Sequence, residues 1–334
     1  MNKIENVIIV RNKTRLEQLT ERFNTQDQAR FYIKQSQESF KLKKESKGGF
    51  GKSLKIAPHK NDSDFSQYEV EHRKFYDSLK QVQKEVEKRL KFKIIFQDFL
   101  PTYIFSANDL VIVIGQDGLV ANTAKYVHNI PILAINPDSE RYDGVLLPFR
   151  SDNFFTALDN VISGNYNFKM VTMAETVLND GQKLLAFNDF FIGPSSHSSA
   201  RYEITFQGKN ENQSSSGIIV STGAGSTGWL SSLFNMANSI HSTFHNTEKF
   251  PYQAIAMDEE KLVFVVREPF LSKSSQINIA SGIIYPNDEL VIESHMPKNG
   301  LIFSDGIQTD FLQFNSGAIA TIKIANEKAK LVIG

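Results

Sequence analysis

The sequence contains no cysteine. That excludes disulfides, thiolate metal sites and cysteine nucleophiles together. An excess of charge of one sign is also missing, since 37 Lys and Arg stand against 37 Asp and Glu. A balanced chain lacks the broad electrostatic footprint of a nucleic-acid or membrane-surface binder, and neither partner is expected. Nor is there an apolar run near the roughly 20 residues that span a bilayer. The opening "MNKIENVIIVRNKT" places a short strand where a secretion signal needs a longer apolar core, so a cytoplasmic protein is expected. What is present is an ordinary globular balance: 41% hydrophobic and 22% charged over 334 residues, enough for two domains.

The first half alternates strands and helices. "NVIIV" (residues 6–10) reads as a strand, followed by helical spacing with a break at Asn24 and Thr25, where Thr25 can cap a second helix. Residues 41–64 are polar and rich in Lys, Gly and Ser, the composition of a mobile loop. Val70, Phe75, Leu79, Val82, Val86 and Leu90 outline one face of a long amphipathic helix. "LVIVIG" (110–115) is apolar throughout, as a central parallel strand covered on both sides should be. A helix from "DGLVANTAKYV", a strand from "IPILAINP" and a helix ending at Gly164 complete a doubly wound α/β domain over residues 1–165.

After about residue 165 the runs become short and alternating, split by Gly, Asn, Asp and Pro. They describe a β-rich domain over 166–334, interrupted by one helix at "TGWLSSLFNMANSI", with the last residues free to return to the first domain.

"KGGFGKSLK" (47–55) imitates a P-loop, but Ser46 stands where the first glycine belongs and no apolar strand precedes it. A flexible basic loop is the better reading.

Gly115-Gln116-Asp117-Gly118 sits at the carboxyl end of its strand, where ligands gather in open α/β sheets. Glycines there admit an anion to backbone N–H groups, and the following helix N-terminus favours negative charge. Asp117 can accept a proton from an attacking hydroxyl or hold a metal against phosphate, or it can simply cap the helix; this motif alone leaves the choice open. "STGAGSTGW" (221–229) collects three glycines and the hydroxyls of Ser221, Thr222, Ser226 and Thr227 between a strand and a helix. It suits a backbone wrapped round a nucleotide, or a polar turn capped by Ser226 or Thr227. "AFNDFFIG" (186–193) sets Asn188 and Asp189 inside an apolar strand. A ribose diol would satisfy them; so would an Asx-type bulge or turn.

In this order and spacing the three segments resemble the ATP-dependent NAD kinase family, with its Gly-Gly-Asp-Gly-Thr, Asn-Glu and Thr-Pro-Thr-Gly-Ser-Thr-Ala-Tyr motifs and a late Asp-Gly-Gln. Asp305-Gly306-Ile307-Gln308 is similar to the last, with one residue inserted. The resemblance covers roughly residues 105–320 and implies a NAD kinase-like fold. It implies transfer of the γ-phosphate of ATP to the 2′-hydroxyl of the adenosine ribose of NAD or NADH, assisted by Mg²⁺ or another divalent ion. Asp117 would be the catalytic base. Gly115, Gln116, Gly118 and Asn122 would border the reacting groups, and Asn188 and Asp189 would hold ribose hydroxyls. Thr222, Gly225, Ser226 and Thr227 would line the base ends, with Asp305 beside them. No dedicated set of metal ligands is expected in the chain, and a homodimer or tetramer is.

Gln116 and Leu119 replace the family's Gly and Thr, Gly223-Ala224 replaces Pro-Thr, Asp189 replaces Glu, and Trp229 replaces Tyr. These departures keep two alternatives open: a kinase of another small alcohol, such as a sugar or nucleoside, and a non-catalytic dinucleotide binder. Lys125 is expected to be solvated, and Arg141 to lie at the surface or to meet phosphate. His241 and His245 lack a partner motif for a metal.

Overall fold

A computed structural model describes residues 3–45, 65–245 and 250–334. The "KGGFGKSLK" segment lies outside them. The chain begins with β1 (Asn6–Arg11), α1 (Arg15–Phe23), α2 (Gln26–Glu45) and α3 (Phe65–Glu87). β2 (Lys91–Phe96), β3 (Asp109–Ile114), α4 (Asp117–Val127), β4 (Pro131–Asn136), β5 (Phe149–Arg150) and α5 (Phe154–Ser163) follow. Next are β6 (Phe168–Leu178), β7 (Lys183–Ala186), β8 (Asp189–Pro194), β9 (Ala200–Phe206), β10 (Lys209–Ser215) and β11 (Ile218–Ser221). The remainder is α6 (Trp229–His245), β12 (Leu262–Val266), β13 (Ser281–Ile284), β14 (Leu290–Ser294), β15 (Gly300–Ser304), β16 (Ile307–Gln313) and β17 (Ile319–Val332).

β2, β1, β3 and β4 pair in parallel in that order, as apolar strands joined by helices must when both faces are covered. Ile112, Leu133, Phe75, Leu79, Val82 and Phe154 form the core on one face of this sheet. On the other face, Val111, Val113, Leu119, Ala124 and Phe187 pack together. The N-terminal region is therefore α/β with a mostly parallel sheet. The C-terminal region is β-rich and antiparallel, with β13-β12-β11-β8-β15-β16 as a sheet of its own. β17 joins the regions: Lys330 and Leu331 run parallel to β4, while Ala320 to Ile322 pair with β14 and β6.

Local signals act as expected at several joints. Asn24 takes the left-handed conformation (φ 64°) between α1 and α2, and the Thr25 hydroxyl accepts from the Gln28 amide. Gly164 ends α5 at φ 78°. Others are corrected. Residues 41–45, assigned to a loop, continue α2. Val70 is exposed although it falls on the apolar series of α3, whose buried face is Phe75, Leu79, Val82 and Val86. The polar strand β10 carries little apolar alternation and had no sequence signal; register with β9 makes it a strand. No helix among the described residues is long and apolar enough to cross a membrane.

Candidate active site

β11, β8 and β15 are antiparallel neighbours, so the end of β11, the start of β8 and the end of β15 lie at one edge. Ser221 pairs with Asp189, and Ser304 pairs with Phe190. That register brings together Asn188–Asp189, Thr222 and Asp305 from three distant stretches of sequence. The expected single strand through "AFNDFFIG" is broken: β7 ends at Ala186 and β8 begins at Asp189, with Asn188 in the joint.

The joint is held by its neighbours. Asp305 Oδ1 accepts from the Asn188 amide at 2.6 Å and the Asp189 amide at 3.4 Å, while Oδ2 accepts from the Phe187 amide at 3.1 Å. Asp305 adopts φ 54° and Gly306 φ 73°, the two left-handed positions of the tight turn between β15 and β16. The Thr222 hydroxyl donates to the Phe187 carbonyl (2.5 Å), and the Thr222 amide donates to the Asn188 carbonyl (2.8 Å). Gly225 is needed for close approach, because a Cβ there would sit 2.2 Å from the Asn188 carbonyl oxygen. The Ser226 hydroxyl donates to the Gly223 carbonyl (2.7 Å) and accepts from the Ile255 amide (3.0 Å).

The side chains of Thr222, Ser226 and Asp305 are buried and committed within the chain, so they shape the cradle from behind. Thr227 is exposed, and Asn188 is half-buried with no hydrogen bond on its amide side chain among the described residues. Asp189 is 8% exposed and likewise has no side-chain hydrogen bond among them. Burial, then the charge of Asp305, pushes its carboxyl up to about 7.

Asp117 opens α4 without capping it. Gln116 occupies the N-cap position, with no side-chain capping bond, and Asp117 Oδ1 accepts from the Leu146 amide at 2.7 Å. The amides of Asp117 and Gly118 donate to nothing among the described residues, and open space surrounds a Cβ built on Gly118. Gly115 is different: its amide donates to the Ile135 carbonyl, and a Cβ there would meet Leu119 Cδ2 at 2.9 Å. Leu119 is buried in the core, so its side chain points away from any phosphate on the helix end. Gln116 is exposed, and its side chain lies beside Tyr142. Both border a cavity of about 260 Å³ that also takes in Lys13, Arg15 and Asp138.

Gly118, Asn122 and Lys125 are four and three residues apart and so share one stripe of α4. Asn122 is buried, and its Oδ1 lacks a hydrogen-bond partner among the described residues. Lys125, expected in solvent, is buried instead. Its Nζ donates to Ser304 Oγ at 2.8 Å and lies 3.9 Å from Asp305 Oδ2 and 3.8 Å from Asp310 Oδ2. The Tyr126 hydroxyl donates to the same Asp310. Lys125 is the site residue that sequence reasoning missed; its i+3 relation to Asn122 was the available signal.

At the end of β4, Asn136 and Asp138 are used internally. Asn136 Oδ1 accepts from the Asp138 amide, and Asp138 takes Lys74 at 2.8 Å. Arg141 meets Glu71 at 3.2 Å. Among the described residues no cluster of three or more His, Cys, Asp or Glu could hold a metal.

No family model matches the chain. A NAD kinase of Saccharolobus islandicus (strain M.14.25 / Kamchatka #1) is 28% identical over 152 residues, 46% of this chain and 55% of that protein. The chain thus spans about half the length of such curated relatives. The NAD kinase of Saccharolobus solfataricus is 23% identical over 206 residues, 60% and 77% of the two chains. Among solved structures, yeast NADH kinase complexed with NADH superposes with a TM-score of 0.57 at 16% identity, covering 100% of this chain and 84% of that one. A NAD kinase from Archaeoglobus fulgidus in complex with ATP gives 0.53 at 14%, covering 76% and 88%. Sequence and fold likeness agree: the chain is similar to NAD kinases over part of its length and shares the fold of NAD and NADH kinase structures.

Proposed function

We propose that the protein transfers the γ-phosphate of ATP to the 2′-hydroxyl of the adenosine ribose of NAD or NADH. The observation that carries this reading is the docking of α4 onto the second sheet through Lys125, Ser304 and Asp305. One rigid helix thereby relates Asp117 and the free amides at its N-terminus to the Asn188–Asp189 joint. In the reaction the ribose 2′-oxygen attacks the γ-phosphorus, the bond to the β-bridging oxygen breaks, and ADP leaves. Asp117 accepts the hydroxyl proton, with Leu146 fixing the carboxylate through Oδ1. Asn188 and Asp189 hold ribose hydroxyls, the amide donating and the carboxylate accepting. The Asp117 and Gly118 amides, together with the α4 dipole, receive phosphate oxygens.

Asp117 offers one carboxylate beside a helix end, which fits a Mg²⁺ ion that arrives on ATP with most of its ligands from phosphate and water. Bound there, the ion would neutralise charge on the transferring phosphate. A homodimer or tetramer belongs to the same reading and is checked by light scattering.

The test is incubation of purified protein with ATP, Mg²⁺ and either NAD or NADH, with chromatographic detection of the 2′-phosphate. Absence of that product with both acceptors would overturn the reading. No specific observation favours a sugar or nucleoside acceptor.

A further inference from the structure

A cavity of about 850 Å³ opens at the end of the parallel sheet opposite Asp117. It lies below the starts of β1, β3 and β4 and against the C-terminal ends of α4 and α5. Its size is that of a small-molecule site. Tyr103, Tyr126 and Tyr166 contribute aromatic surface, and Lys3, Lys330 and His128 contribute nitrogen. No Asp or Glu is among the described residues lining it. In a chain with equal numbers of acids and bases, that local imbalance is specific.

The two lysines are available to a guest. Neither makes an ion pair among the described residues, although ion pairs are common elsewhere on this surface. Lys330 Nζ instead lies 5.2 Å from the Tyr166 ring centre and 4.2 Å from that of Phe168. An ammonium over an aromatic face keeps donors available for an oxyanion. Aromatic walls favour a flat ring system, and unpaired lysines favour negative charge.

We propose that this cavity is a second ligand site, for a planar aromatic anion carrying a carboxylate, sulfonate or phosphate. The guest lays its ring against Tyr103, Tyr126 and Tyr166 and turns its anionic group to Lys3 and Lys330. The site is separate from the cradle around Asp189, yet α4 begins at Asp117 and ends here. The proposal does not depend on phosphotransfer, because binding is measured without turnover.

The test uses 8-anilinonaphthalene-1-sulfonate and its uncharged analogue N-phenyl-1-naphthylamine, titrated by fluorescence into the full chain. The expected result is one saturable class of sites for the sulfonate, at least ten times tighter than for the neutral dye. Saturating NAD and ATP should not displace it, and Asp189→Asn should bind it normally. Lys330→Glu should weaken it at least tenfold. Lys3→Glu, at an exposed position that does not threaten folding, should weaken it measurably. Displacement by nucleotide, equal affinity for the neutral dye, or no loss in either folded lysine variant would overturn the proposal.

Discussion

Lys125 Nζ lies 3.9 Å from Asp305 Oδ2, and the two side chains are 2% and 1% exposed. Burial pushes the amine's pKa down and the carboxyl's up, and each group's charge opposes the other's shift. Because Asp305 also gathers the amides of Phe187, Asn188 and Asp189, this pair is the mechanical link between α4 and the Asn188–Asp189 joint.

Lys125→Met leaves Asp305 buried without its cation and should cost about 3 kcal/mol. Adding Asp305→Asn should recover part of that loss, which additive sites would not show. A double-mutant cycle in urea measures both, and a coupling near zero would mean that the link is incidental.

Asp117→Asn keeps an oxygen to accept from Leu146 but removes the proposed base. Turnover should fall by roughly 10²–10⁴ while dinucleotide affinity and the urea midpoint hold. Turnover close to the wild-type rate would assign the base elsewhere.

Asp189 titrates near 7 in the folded chain, against an ordinary value of 3.8. Between those values the folded state binds the extra proton, so the group lowers stability as pH rises from about 4 to about 7. Asp189→Asn removes the effect. Its stability relative to wild type should therefore rise between pH 4 and pH 8, by up to about 4 kcal/mol. Dinucleotide affinity of the wild type should increase across the same interval as the carboxylate ionises. Urea unfolding and calorimetry at both pH values check this, and a flat difference in stability would remove the assigned burial effect.

Two glycines should respond in opposite ways to alanine. At Gly225 the new Cβ would lie 2.2 Å from the Asn188 oxygen, so the cradle must shift, at about 1–3 kcal/mol with loss of dinucleotide binding. At Gly118 nothing lies within 4 Å, and stability should hold or rise by about 0.5–1 kcal/mol because alanine is the better helix residue. Activity should nevertheless fall in Gly118→Ala, since the methyl group enters the space beside the free amides. Thermal melts paired with rates separate these cases.

The sequence by itself determined the elements whose causes are local. Apolar runs specified β3 and β4, period and capping specified α3 and the α1–α2 joint, glycine and acid placement marked Asp117 and Asn188–Asp189, and the family resemblance marked Asp305. Tertiary structure decided what each marked side chain touches. Lys125 reads as a surface cation until Ser304, 179 residues away, and the carboxylates of Asp305 and Asp310 surround it. Thr222 and Ser226 read as ligand hydroxyls until the carbonyls of Phe187 and Gly223 claim them. Polar β10 has no apolar period to announce it and exists through its ladder with β9. Backbone periodicity is encoded in neighbours along the chain, whereas burial of a charge or hydroxyl depends on partners that only the packed strands and helices bring within reach.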